Sequence, residues 1–362
     1  MAPAGTGDPR RPPPAPAARV LAPAGRISAG AVAAVLAVGL VAPEAWRRWP
    51  VAVFLIGLVA GLPHGAVDHL VPGWFRRRPR SAAGRRGVVP LGYAAAAVAV
   101  PAAALAAPAC VFGVFLAVSA LHFGYGDARF CALRDGPAGP ARRTAHALAH
   151  GAVTTVLPLV RWPEQVRPVV RQLAPGLDWL LAAPARPAAA ALAGAAVTAG
   201  CVTALRGGRH RQAAELLLLT ALFTVVPPLV AFGAYFGAWH SVRHIARLVL
   251  ADPANIPALR AGRTAAVLRR FGRQAAVPTV VALAALAALT ALPHAFPADG
   301  RTAARGVALL AALTFPHLVV VAHLDRCEGS AAPGRRGPPA AVRRTARSGR
   351  PVTARPPGRR TE

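Results

Sequence analysis

Apolar residues run along this chain in blocks of roughly 17–25 positions, the length a helix needs to cross a bilayer, and do not alternate with polar ones. Ten blocks occur: Ile27–Pro43, Trp49–Val71, Val88–Pro108, Cys110–Gly126, Thr144–Val160, Pro187–Leu205, Ala213–Val226, Leu229–Leu250, Ala275–Leu292 and Gly306–Leu324. The seventh is short for a span. A further patch, Leu173–Ala183, is interrupted by Pro175, Gly176 and Asp178 and reads as an interfacial segment. The expected fold class is all-α: a polytopic transmembrane bundle of about ten helices over residues 27–325. The ends, 1–26 and 326–362, are basic and rich in Pro, Gly and Ala, and are expected to be disordered because they cannot bury a core.

Composition strengthens this reading. Of 362 residues, 55% are hydrophobic and only 15% charged, whereas about a quarter of a soluble chain is charged. The net charge of +29 rests on arginine alone, since no lysine occurs. With both tails inside, thirty-two of the forty-two arginines fall on the cytoplasmic side and eight outside; Arg243 and Arg247 lie on the eighth block. That bias is the one the positive-inside rule demands, so both termini are expected to be cytoplasmic in a multi-pass protein of the cell membrane. Arginines confined to tails and loops are explained by lipid headgroups, and nucleic acid is not expected as a partner. Cys110, Cys131, Cys201 and Cys327 are scattered singly and suggest neither a disulfide framework nor a zinc knuckle. The first block lacks a convincing cleavage site and is expected to be retained as a helix.

The topology gives the histidines a common depth. Nine of the eleven fall in the cytoplasmic half of the bundle: His64, His69, His122, His146, His150, His240, His244, His317 and His323. His210 lies in a cytoplasmic loop and His294 outside. Imidazoles are costly in hydrocarbon and normally face a bundle interior or a functional cavity. His240 and His244, four positions apart, project from one helix face and can chelate one ion. With His64 and His122 they make four imidazoles from three helices. Such a set suits iron, copper, zinc or nickel and suits magnesium or calcium poorly. An octahedral ion so held keeps two positions open. Asp68, one turn after His64, is placed to accept a proton from the second nitrogen of a ligand imidazole. A lone membrane histidine is more often a packing residue, and that reading is taken for His210, His294 and His323. His69 and His317 are intermediate, and His146 with His150 fit an interfacial helix start equally well.

Four segments resemble one family. "GLPHGAVDHL" (Gly61–Leu70), "ALHFGYGD" (Ala120–Asp127), "YFGAWHSVRH" (Tyr235–His244) and "TFPHLVVVAHLD" (Thr314–Asp325) look like motifs of the Brp/Blh family of β-carotene 15,15'-dioxygenases. The resemblance covers about Trp49 to Asp325, with the motifs in the family's order; "PHGAVDH" and "WHSVRH" are its specific signals, and "PH" in the last block is weak alone. Val67 stands where the family often has another small aliphatic residue, both tails are extra, and "AHALAHGAVTTVLPLV" matches less clearly. The family is assigned a non-haem iron(II), and its ligands match His64, His122, His240 and His244. Asp68 and His317 are expected as outer partners of those ligands. Roles for His69, His146 and His150 are left open.

The resemblance implies cleavage of the central 15,15' double bond of β-carotene or a related carotenoid by dioxygen, giving two molecules of all-trans-retinal, with a functional link to a retinal-binding rhodopsin. Phe123, Tyr125, Tyr235, Phe236 and Trp239 are expected to line a polyene tunnel. β-Carotene is about as long as the ~30 Å hydrocarbon core, so a bilayer enzyme can take it sideways from lipid. Alternatives are a desaturase- or hydroxylase-like membrane metallo-oxidase with two irons, a transporter with a histidine relay, and a non-catalytic opsin partner.

Overall fold

The computed structural model describes residues 15–75, 87–182, 184–291 and 301–330. His294, most of each tail and the arginine-rich stretch 76–86 lie outside the described residues. Among the described residues the regular elements are all helical. The principal ones are α1 Ala15–Val41, α2 Pro50–Gly61, α3 Val88–Ala106, α4 Pro108–Asp135, α5 Pro140–Gly151, α6 Pro163–Leu173, α7 Ala185–Arg206, α8 His210–Val225, α9 Pro228–Ala234, α10 Ser241–Ala251, α11 Thr264–Ala291 and α12 Arg301–Ser330. Six of them, α1, α3, α4, α7, α11 and α12, are long and apolar enough to cross a membrane. All four cysteines are free.

The expected blocks that are not single long helices are short or broken, for visible reasons. Block seven is α8, sixteen residues. In block two, Pro63 follows Leu62, and α2 tightens into a 3-10 turn at Leu62–His64 before winding through turns to Leu70. Proline lacks the N–H that would continue the helix, which accounts for the break. Blocks five and eight each contain a π turn, Ala152–Val156 after α5 and Tyr235–His240 between α9 and α10. One correction concerns the N-terminal tail: α1 starts at Ala15, twelve residues before Ile27. Val20, Leu21 and Ala24 are buried there in a core shared with Val67, Leu248 and Leu324, and this packing holds a segment that looks like tail by composition.

Lipid removes the hydrophobic drive between spans, so close helix approach depends on small residues. Gly57 of α2 packs against Gly233 of α9 and Gly237 of the following π turn, while Gly61 makes room for the Phe236 ring. A Cβ on Gly233 would come within 2.7 Å of Val53 O, and one on Gly237 within 2.9 Å of Gly57 O. The α4–α5 crossing is similar, with Gly124 against the Ala147 carbonyl and Gly151 against the Ala120 carbonyl. The α2–α9 crossing brings together the backbones that lead to His64 and His240, and α4, which bears His122, packs against the Tyr235–His240 turn and α10.

Candidate metal centre and cavity

His64 sits on the broken part of the second block, where its Nδ1 lies 2.6 Å from Gly61 O. That nitrogen donates to the carbonyl and leaves Nε2 as the lone-pair atom. Hydrogen bonding of the second ring nitrogen is how ligand imidazoles are usually oriented. The Ser241 hydroxyl donates to Phe236 O at 2.6 Å and lies 3.3 Å from His64 Nδ1, tying the turn to the end of the π segment. His240 closes that segment and His244 lies one turn on; their rings are 6.0 Å apart and nearly parallel. His122 enters from α4.

His64, His122 and His240 each offer a ring nitrogen, and these atoms lie within 4.8 Å of one another. The Nε2 atoms of His122 and His240 are 3.2 Å apart. The His244 ring is 5.5 Å from His64 and 6.3 Å from His122, and its buried Nε2 has no hydrogen-bond partner among the described residues. All four rings are buried. Converging imidazole nitrogens, one of them unsatisfied, are costly in a dry interior unless something binds them. The donor set, all neutral nitrogen, fits a first-row transition ion.

The same place opens onto a cavity of about 690 Å³ lined by His64, His122 and His240, with walls such as Phe54, Phe112, Phe115 and Leu309. That volume is within the ~300–1,000 Å³ usual for small-molecule sites. A family described as Beta-carotene 15,15'-dioxygenase matches residues 54–325. The chain belongs to this family. The probable beta-carotene 15,15'-dioxygenase Blh of Halobacterium salinarum is 36% identical over 293 residues, covering 75% of this chain and 83% of that protein. The probable beta-carotene 15,15'-dioxygenase Brp of the same species is 29% identical over 255 residues, covering 63% of this chain and 67% of its own length. No solved structure matches.

Other expected site residues fall differently within this family member. Of the five aromatic residues expected in the tunnel, Phe123 and Phe236 line the cavity. Tyr235 instead meets His150 Nε2 through its hydroxyl at 2.9 Å, and Trp239 donates to Asp127 Oδ1 at 3.0 Å. Tyr125 lies beneath the Arg143 guanidinium. A π turn redirects side chains relative to a regular helix, so spacing in "YFGAWH" misassigns two of them. Asp68 does not reach His64. Because residues 62–70 are not a regular α-helix, four-residue spacing no longer stacks the two. Asp68 Oδ2 accepts from His317 Nδ1 at 2.7 Å and from the Tyr93 hydroxyl at 2.6 Å. Tyr93 was missed from sequence; a single phenol in an Ala- and Val-rich span was the available signal.

A second buried group lies beside the first. Asp127 accepts from Arg243 at 2.7 Å and lies 2.9 Å from His146 Nε2 and 3.5 Å from His150 Nδ1. Arg243 also pairs with Glu215 at 3.1 Å, and Glu215 with Arg134 at 2.6 Å. Asp127, His146 and His150 have the composition of a metal triad. The guanidinium already on the Asp127 carboxylate neutralises it, so a cation there would meet a like charge. The group reads as an ion-pair network that lets α4, α8 and α10 share buried charge. His69 lines the cavity with Nδ1 3.1 Å from Ala66 O, His323 packs on Phe75, and His210 is exposed.

Proposed function

We propose that this chain cleaves the central 15,15' double bond of β-carotene, or of a related carotenoid, with dioxygen at an iron(II) site and forms two molecules of all-trans-retinal. The carrying observation is that three imidazoles of a carotenoid-dioxygenase family member converge on the wall of one apolar cavity. His64, His122, His240 and His244 would hold the iron. Bound there, iron(II) supplies dioxygen binding and activation toward an alkene.

The rest falls to the chain's own residues. Phe112, Phe115, Phe123 and Phe236 hold the polyene by apolar contact along the cavity. Gly61 O fixes the His64 tautomer. The cavity wall is almost wholly apolar, which keeps water from reactive oxygen species. No nucleophile or general base is required. The catalytic unit would be residues 15–330 with ten membrane segments, both termini cytoplasmic, in the cell membrane. Retinal released into the bilayer suits a rhodopsin as consumer.

The test is expression in a carotene-producing bacterium under air, with retinal measured by chromatography. His64→Ala, His122→Ala, His240→Ala and His244→Ala are each expected to abolish retinal at normal protein yield. Normal cleavage by any of them removes that residue from the ligand set. Two irons per purified chain would favour the metallo-oxidase alternative, and solute flux in liposomes without oxygen uptake would favour a transporter.

A further inference from the structure

We infer that His317 is a fifth imidazole ligand of this centre and not an outer partner; the inference rests on the metal reading above. The geometry is at least as good as that of His244. The His317 ring is 5.0 Å from His64, 5.0 Å from His122 and 5.3 Å from His244. The His122–His244 distance is 6.3 Å. His317 is buried, lines the cavity, and its Nε2 has no hydrogen-bond partner among the described residues.

The other side of the ring explains the orientation. Nδ1 donates to Asp68 Oδ2 at 2.7 Å, and that oxygen also accepts from Tyr93. A carboxylate on one nitrogen of a buried imidazole, with the other free and aimed into a ring of imidazoles, is the arrangement found behind metal-bound histidines. A packing histidine would be expected to satisfy both nitrogens. Pro316, directly before it within α12, lacks an N–H to continue the helix ladder. Five imidazoles would leave an octahedral ion one open position. The polyene would then lie beside the ion without binding to it, held by the cavity wall. Asp68 would contribute a carboxylate charge behind one of five neutral donors.

The experiment uses purified full-length protein in detergent, loaded with cobalt(II) without oxygen. Wild type, His240→Ala, His317→Ala and Asp68→Asn are compared by metal content, affinity and visible absorption. His317→Ala is expected to bind cobalt at least ~10–100-fold more weakly, the loss expected for removing even an outer partner. Its absorption should be stronger than wild type because coordination falls, and added imidazole should restore the wild-type spectrum of His317→Gly. Asp68→Asn should weaken affinity while keeping the wild-type spectrum. A His317→Ala spectrum that superimposes on wild type overturns the inference. If the His317 variants do not fold, X-ray absorption on cobalt-loaded wild type decides between five imidazoles, which supports it, and four, which overturns it. A wild-type protein that binds no metal sinks the metal reading itself, and with it this inference.

Discussion

A buried arginine in a membrane bundle needs a named partner, and Arg243 has four. Its guanidinium meets Asp127 and Glu215, donates to Ser28, and stacks on Trp239 at 3.6 Å. The arginine of "WHSVRH" therefore faces carboxylates inside the bundle and not headgroups. Both ends of the Asp127–Arg243 pair are almost fully enclosed. Removing one member of such a pair strands the other, at a cost of about 3–5 kcal/mol. Asp127→Asn should accordingly lower the melting temperature in detergent and reduce yield, while Glu164→Gln, on an exposed pair with Arg167, should change neither. Equal melting of the Asp127 variant and wild type would mean the network carries no stability. Asp127 stood at the end of a motif picked out from sequence, yet its partners came from α5, the Tyr235–His240 turn and α10. Sequence order hides such partners, because each charge looks isolated in its own apolar block.

At the level of elements, helix existence was legible and helix continuity was not. Long blocks such as Val88–Pro108 became one helix with nearly the expected ends. Where chemistry gathers, regular periodicity stops: the 3-10 turn at His64, the π turn at Tyr235–His240, and another after His150. Pro63 announced the first, but nothing in "YFGAWH" separates a π turn from a regular one. The imidazoles at 64, 122 and 240 could be grouped from sequence because depth in a membrane follows from topology. The Asp68–His317 pair could not, because it depends on the path of the broken turn. The glycine crossing that fixes this path is testable. Gly57→Leu sets a side chain against the Gly233 backbone, where no flexible group can yield, and should separate α2 from α9. Iron content should fall although every proposed ligand remains. Gly113→Ala, with open space around it, should retain iron. Full iron occupancy in Gly57→Leu would show that the crossing does not position His64.

For the whole molecule, the question is how a rod of hydrocarbon reaches a buried centre. Ala94 and Ala97 of α3 and Val277 and Val281 of α11 line the cavity, yet all four are also exposed on the outside of the bundle. No α3 side chain is fully buried. On the proposed function that surface would touch acyl chains, and the cavity mouth would open sideways into the phase where a carotenoid dissolves. Entry by this route avoids passing an apolar substrate through water, which would cost roughly 0.8 kcal/mol per exposed methylene equivalent. Narrowing the mouth should then affect uptake before chemistry. Ala97→Trp and Val281→Trp, tested in carotene-containing vesicles, should raise the apparent KM several-fold while leaving kcat, iron content and melting temperature near wild type. A fall in kcat at unchanged KM would place the bulk against the reacting segment, and unchanged kinetics in both variants would put the entrance elsewhere on the bundle.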